Sequence, residues 1–217
     1  MTKIKRSIFL VLIILTNNSF SQSSQVLDYI KAISGKKTLS GQHNKEPNAE
    51  PVKWTSFIFE TTGKYPALWS GDFLFQQNNI DERWTMIYEA KKQYENGAVV
   101  NLMWHACPPD EGEPCAWDPG LLNAQLDDNQ WKELITDGTE LNKNWKKRMD
   151  EIAVYLQYLE DKKVEVLFRP LHEMNQGKFW WGGRPGPDGT ARLYQIIHDY
   201  FEKDKDLSAK GPIGKFF

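Results

Sequence analysis

Residues 166–186, VLFRPLHEMNQGKFWWGGRPG, combine the side chains of an acid–base site with the aromatic rings of a ligand-binding surface. An apolar run, Val166–Phe168, is followed at once by Arg169, His172 and Glu173. A carboxyl group beside a histidine, an arginine and an apolar wall can have its pKa raised into the range of a working general acid. Glu173 is therefore the leading catalytic candidate, although an acid at a strand end can equally be tied to a backbone amide or an arginine.

Trp180 and Trp181 follow this cluster and stand between Gly177 and Gly182. The chain contains nine tryptophans, a high number for its 217 residues. A soluble protein buries such rings in its core or displays them as flat surfaces for ligands such as sugar rings, and both readings fit a single Trp. The glycine-flanked loop favours the second, so the pair is expected to face a polysaccharide.

Polar residues also end three earlier extended runs. KKTLSGQHN brings His43 to such an end, YPALWSGDF brings Asp72, and AVVNLMWHACP brings Trp104 and His105. Asp72 is expected to cap the following turn or to bind a sugar hydroxyl, while Trp104 and His105 are expected to contact substrate. Three histidines on three strands are also compatible with zinc, but no HExxH or paired-cysteine spacing supports a metal site.

Helical patterns alternate with these four runs. The clearest are residues 142–162, with an apolar stripe at helical spacing, and residues 190–204. Apolar strands alternating with amphipathic helices predict a parallel sheet covered by helices, with functional groups at the C-terminal ends of the strands. An open doubly wound sheet and a (β/α)8 barrel both satisfy this pattern. The first strand lacks a glycine-rich phosphate loop, which disfavours a nucleotide-binding sheet.

Cys107 and Cys115, the two cysteines of the chain, lie close together in CPPDEGEPC. We predict a local disulfide that fixes a loop, with two free thiols as the alternative. The connection over residues 108–142 is long enough to be a linker. Its mixed composition and its tryptophans instead indicate a structured functional loop.

The N-terminus resembles a secretory signal peptide. Basic residues precede a short apolar run, Ile8–Leu15, and residues 19–21 fit a cleavage site. The run is too short for an ordinary membrane span, although an anchor is the alternative. We therefore expect a secreted or periplasmic protein with no membrane partner after cleavage. The 27 basic and 29 acidic residues nearly cancel, so nucleic acid is not an expected partner, and no cofactor is indicated.

Together, these motifs resemble glycoside hydrolase family 26, whose best-known members are secreted β-mannanases. VLFRPLHEMNQGKFWWGG resembles the acid/base strand of that family, and GQHN, YPALWSGDF and NLMWHACPP resemble its first three strand ends, in family order between residues 37 and 201. The resemblance implies a (β/α)8 barrel and retaining hydrolysis of internal β-1,4-mannosidic bonds in a mannan-like polysaccharide. It implies that Glu173 is the acid/base and that His172 lies beside it. Arg169, His105 and the Trp pair would shape the sugar subsites.

The resemblance also implies a second carboxylate, which retaining hydrolysis requires about 5–5.5 Å from the first. In the family it follows the seventh strand, whereas residues 174–217 place no acid after an apolar strand. The segment AKGPIGKFF is also a poor fifth strand. We therefore expect the signal peptide at 1–21, the first four βα units of a barrel at 22–206 and an atypical tail at 207–217, in a truncated chain without its nucleophile. A non-hydrolytic carbohydrate-binding relic, or a family member acting on another β-glycan or xylan, is the alternative.

Overall fold

The computed structural model describes residues 24–207 and 213–214, and the signal-peptide prediction lies outside them. Within the described residues the helices are α1 (Gln25–Ile33), α2 (Lys53–Thr62), α3 (Gln77–Asp81), α4 (Arg83–Glu95), α5 (Asp128–Ile135), α6 (Glu140–Asp161) and α7 (Thr190–Asp199). The strands are β1 (Gly41–His43), β2 (Leu68–Phe73), β3 (Val99–Trp104), β4 (Val166–Pro170) and β5 (Ile213–Gly214).

The strands form one parallel sheet in the order β1-β2-β3-β4-β5. Four strands are each followed by helix, as expected for the first βα units of a barrel. The expectation that no fifth strand would follow was wrong, because Ile213 and Gly214 pair with Val166 and Leu167. Glycine and proline weaken a strand without forbidding a short pairing at a sheet edge, and β5 is only two residues long.

Each strand presents alternate residues to the two faces of the sheet. One face is apolar and packs beneath the helices, with Trp69, Phe73, Leu102, Trp104 and Phe168 fully or almost fully buried. On the other face, register aligns His43, Ser70 and Asn101 in one row. The Ser70 hydroxyl lies 2.9 Å from Nδ1 of His43 and accepts a hydrogen bond of 2.8 Å from Asn101. Polar chemistry therefore collects on the face opposite the helices.

Helix α1 is held to the start of β4 by a buried carboxylate. Glu165 is 4 % exposed and accepts hydrogen bonds from the Ser24 hydroxyl at 2.6 Å and from the backbone N–H groups of Gln25 and Val26 at 2.9 and 2.8 Å. The first N–H groups of a helix have no partner within the helix and carry the positive end of its dipole. A carboxylate at this position accepts hydrogen bonds from those N–H groups and also balances the positive charge.

The structure largely confirms the expected helices. The stripe over residues 142–162 forms α6, with Trp145, Met149, Ile152 and Leu156 fully buried. The helix expected over 190–204 is α7, which continues into a wider turn, Tyr200–Asp204. The 108–142 connection is structured, as expected, because it contains an irregular turn, Trp117–Leu121, and α5.

Candidate active site

One carboxylate organises two histidines at the C-terminal ends of β1, β2 and β3. Oδ2 of Asp72 lies 2.7 Å from Nδ1 of His105 and 3.6 Å from Nε2 of His43. Burial alone would raise the pKa of Asp72, but the charges and hydrogen bonds of the two histidines outweigh it and lower this pKa to about 2. Asp72 is therefore ionised at neutral pH and fixes His105 with its Nδ1 toward the carboxylate.

His172 lies against this group from β4. Its ring centroid is 4.3 Å from that of His105, 5.0 Å from that of Phe179 and 5.5 Å from that of Trp181. Burial, followed by the neighbouring charge of His105, lowers the pKa of His172 to about 4. A neutral imidazole therefore stands beside Glu173 at neutral pH.

Glu173 is solvent-exposed at the rim of this cluster. Its φ of 54° and the φ of 51° at Leu171 place both residues in the left-handed region, which non-glycine residues rarely adopt. Among residues 24–207, none donates a hydrogen bond to its carboxylate. The carboxylate of Glu173 therefore faces solvent.

The prediction that Trp180 and Trp181 present their faces to a sugar was wrong. Both are fully buried. The indole N–H of Trp180 donates to the Ala106 carbonyl at 2.8 Å, and that of Trp181 donates to the His172 carbonyl at 2.9 Å. The two indoles therefore fix the backbone just after β3 and just after β4, at Ala106 and His172.

The glycines of this segment allow it to fold back rather than outward. A Cβ on Gly182 would lie 2.1 Å from the carbonyl oxygen of Gln176, so only glycine fits this close approach. Gly183, at a φ of 69°, donates from its N–H to the Met174 carbonyl at 2.9 Å. The same Gly–Trp pattern that suggested a surface loop is thus required for a tightly packed turn.

Trp104 was wrongly predicted as a substrate contact, and Asp72 borders the pocket without any exposed surface. Trp104 belongs to the helix-covered face and stacks on Trp145 at 5.1 Å, with no exposed surface. Asp72 faces the polar side, but it is fully buried behind His43 and His105. Strict alternation from Val100 through Leu102 would have placed Trp104 on the apolar face.

Arg169 lies on the polar face of the sheet, at the end of β4. It lies in register with Met103, which is itself in register with Asp72, so the three share a row on the polar face. Its side chain is exposed, and its guanidinium contacts the Met103 sulfur at 3.6 Å. Arg169 is therefore available to a ligand beside Glu173.

Trp117 is an exposed aromatic ring at the site that the sequence interpretation missed. With 47 % of its surface exposed, it lines a cavity of about 320 Å³ together with His43, Lys45, Glu46, Asp72, Leu74, Phe75, Gln76 and His105. It stacks on Phe75 at 6.0 Å, and its ring centroid is 6.1 Å from that of His105. Its position in the Asp-Pro-Gly turn just after Cys115 was the available signal.

The predicted disulfide between Cys107 and Cys115 is present and closes the loop that leads to Trp117. The three histidines of the site do not form a cluster suited to a metal. Among the described residues, only His198, Asp199 and Glu202 bring three such ligand atoms together, and they lie on α7 and the turn after it.

Comparison with known proteins identifies the family of this fold. The family model described as glycosyl hydrolase family 26 matches residues 15–209. The chain belongs to glycosyl hydrolase family 26. A mannan endo-1,4-beta-mannosidase of Thermothelomyces thermophilus is 34 % identical over 85 % of this chain and 38 % of that relative.

Solved family 26 structures share the fold. GH26A of Muricauda sp. MAR_2010_75 superposes with a TM-score of 0.78 at 35 % identity, covering 85 % of this chain and 58 % of that one. The β-mannanase of a symbiotic protist of the termite Reticulitermes speratus gives 0.72 at 26 %, covering 87 % and 60 %. The family 26 chain described here thus spans between 38 and 60 % of these three relatives. Across the part of the chain that the structure describes, no helix is long and apolar enough to span a membrane.

Proposed function

We propose that this chain carries the acid/base side of a retaining β-1,4-mannan hydrolase, with Glu173 as the general acid/base. The exposure of Glu173 beside a neutral His172, at the end of a barrel strand, is the observation that carries the proposal. Glu173 would protonate the glycosidic oxygen as the bond breaks and then remove a proton from the attacking water.

The relatives support the choice of substrate class. Those compared above include a mannan endo-1,4-beta-mannosidase, and the termite-symbiont mannanase was solved with a gluco-manno-oligosaccharide. In this chain, Trp117 and Phe75 offer an aromatic wall, while His105 and Arg169 offer hydrogen-bond donors. An aromatic face with polar groups around it suits a pyranose ring.

The nucleophile is proposed to lie outside the described residues. Asp72 and Glu46 are further carboxylates at the pocket. Burial and two histidine partners leave Asp72 unable to reach a sugar carbon, and Glu46 lies 3.8 Å from the Lys45 ammonium in the loop after β1. The Trp pair cannot be the platform of a carbohydrate-binding relic, because both rings are buried. Binding of this chain to mannan, xylan and mixed-linkage glucan, measured side by side, decides between mannan and another β-glycan as the substrate class.

The first prediction is that this 217-residue chain alone releases no reducing sugar from mannan, because one carboxylate cannot complete a retaining mechanism. A chimera that joins residues 22–206 to the remaining barrel of Muricauda GH26A should hydrolyse mannan. In it, Glu173→Gln should lower kcat by at least about 10²-fold, the usual contribution of a general acid.

The matched control in that chimera is Asp188→Asn, which changes an exposed acid in the turn after the Trp pair. It should leave kcat unchanged. Robust turnover by the chain alone that disappears in Glu173→Gln would refute the missing-nucleophile proposal. Full activity of the Glu173→Gln chimera would refute the assignment of the acid/base.

A further inference from the structure

We propose that Arg83 and Glu113 are positioning residues that lock together the two segments forming the aromatic wall of the pocket. One segment is the disulfide loop, residues 107–117. The other is the wall segment, Leu74–Phe75. The use of this wall for a sugar rests on the proposed function, whereas the coupling of the two segments is independent of it.

Arg83 reaches both segments from the first position of α4. It is 2 % exposed, and its Nη1 donates to Oε2 of Glu113 at 2.8 Å. Its Nη2 donates to the Leu74 carbonyl oxygen at 2.6 Å. A planar guanidinium holds its donors in a fixed fork, so one rigid group sets the distance between the disulfide loop and the wall segment.

Glu113 receives a second cation from α6. Nη1 of Arg148 lies 3.7 Å from Oε1 of Glu113, and Nη2 of Arg148 donates to the Glu111 carbonyl at 2.9 Å. The side chains of Arg83, Glu113 and Arg148 are all at least nine-tenths buried. The disulfide loop is therefore anchored to two outer helices through a single carboxylate.

Direct contacts between the disulfide loop and the wall segment then fix the aromatic wall of the pocket. The Cys115 N–H donates to the Phe75 carbonyl oxygen at 3.4 Å, a long bond that joins the two segments. Two residues later, Trp117 stacks on Phe75 with an interplanar angle of 24°. If the Arg83 fork were lost, Phe75 and Trp117 would no longer be held at one spacing opposite His105.

Stability alone does not account for this network. A buried ion pair is weak evidence for stability, because desolvation of the charges offsets their attraction. An apolar side chain of similar size would fill the same volume but would join neither the Leu74 carbonyl nor Glu113. The feature that an apolar replacement would lose is the bridge between the Leu74 carbonyl and Glu113, which the guanidinium fork supplies.

The test is amide hydrogen exchange in the full chain without sugar, comparing Arg83→Lys with Arg148→Lys. Lysine keeps the charge in both variants, but its single nitrogen cannot occupy the positions of both Nη1 and Nη2 in the planar fork. Exchange of the Cys115 amide should accelerate about tenfold in Arg83→Lys, the loss expected for roughly one hydrogen bond. In Arg148→Lys, which leaves the wall segment untouched, the Cys115 amide should change by less than about threefold.

The buried Leu102 amide of β3 serves as the internal reference for global folding. If it also loses protection in Arg83→Lys, Glu113→Gln replaces that variant, because it keeps the shape of the carboxylate while removing its charge. Equal Cys115 exchange in the Arg83 and Arg148 variants, with Leu102 protected, would overturn the proposal. Equal exchange in Glu113→Gln and the unmodified chain would overturn it as well.

A sugar-binding measurement separates this inference from the proposed function. Calorimetry with mannohexaose should show weaker binding by Arg83→Lys than by the unmodified chain, by about tenfold. If the unmodified chain binds no mannohexaose, the proposed substrate class fails while the exchange result still decides the coupling. If the chain binds and Arg83→Lys binds equally well despite faster Cys115 exchange, the wall has no role in sugar recognition and that part of the inference fails.

Discussion

His105 and His172 have different environments at this site, and those environments give the two imidazoles different properties. His105 is oriented by an ionised Asp72, while His172 is buried among aromatic rings that disfavour its charged form. Glu173 has neither kind of partner and remains exposed. The site therefore contains both histidines whose position is fixed by buried partners and a carboxylate that stays open to solvent.

The buried His172 predicts a loss of stability in mild acid. The pKa of His172 is about 4 in the folded chain, compared with the ordinary value of 6.5 that applies in the unfolded chain. Between pH 4 and pH 6.5 the unfolded chain therefore binds more protons than the folded chain. The free energy of unfolding should therefore fall as pH decreases from 6.5 to 4, by about 3 kcal/mol at most. Urea unfolding at pH 7 and pH 4.5 measures this change.

The variant His172→Phe should lose much of that dependence, because phenylalanine suits the aromatic surroundings and does not titrate. Other titrating groups are common to both chains, so the difference isolates His172. An unchanged pH dependence in the variant would show that His172 is not held neutral by the fold.

Two tryptophans with opposite exposure give a second residue-scale prediction. Trp180→Ala should destabilise the chain by about 3–5 kcal/mol, because it empties a fully buried aromatic site. Trp117→Ala should change stability by less than about 1 kcal/mol but should weaken mannohexaose binding. Thermal unfolding and calorimetry check the two effects, and the reverse assignment would restore the sugar-facing role of the Trp pair.

Loops and helix ends decide where the strands can present these groups. The disulfide loop donates from the Cys115 N–H to the Phe75 carbonyl after β2, and the turn at residues 177–183 donates from the Trp180 indole to the Ala106 carbonyl after β3. At the opposite end of β4, Glu165 fastens α1. At the element scale, single carboxylates, Glu113 and Glu165, each connect elements that are distant in sequence.

The α1 contact predicts a local change on substitution. Glu165→Gln retains the shape of the side chain but removes the negative charge of the carboxylate, whose oxygens accept three hydrogen bonds at the helix N-terminus. We expect a loss of about 1.5–3 kcal/mol in the docking of α1. Trypsin should then cleave faster at Lys31 and Lys36, while the exposed Glu60→Gln on α2 should leave the cleavage rate unchanged. Equal cleavage rates in the two variants would refute the anchoring role.

The described sheet has edges that a closed barrel would not have. Among the described residues β1 pairs only with β2, and β5 contributes two residues beyond β4. Close to β1 in sequence, Trp54, Phe57, Phe59 and Tyr65 are exposed, and the Phe59 and Tyr65 rings stack at 4.1 Å. Unpaired strand edges beside exposed apolar side chains favour association with another chain.

At the scale of the whole molecule, we therefore predict concentration-dependent self-association of the 217-residue chain. The double substitution Trp54→Lys and Phe57→Glu should reduce it, because both side chains are exposed on α2 and their removal leaves the core intact. Val154→Lys, an exposed apolar residue on α6, is the matched control. Sedimentation velocity measures the effect, and equal association of all three proteins would exclude this surface.

Local sequence patterns were enough to predict the alternation of strands and helices, the polar strand ends and the disulfide. These features depend on local periodicity and on short spacings between residues, both of which are visible in the order of the amino acids. Residues 166–173 were likewise sufficient to locate Glu173 and its neighbours at the end of a strand. The family followed from the combination and order of those motifs.

Which of these residues are exposed and which are buried could be read only from the folded chain. Trp180 and Trp181 stand in a glycine-rich turn whose direction depends on carbonyls at His172 and Ala106. The short β5 likewise depends on a partner strand rather than on the propensity of its own residues. Burial is set by what packs against a side chain from elsewhere in the chain, so residue type and spacing identified the components of the site but not which of them its surface exposes.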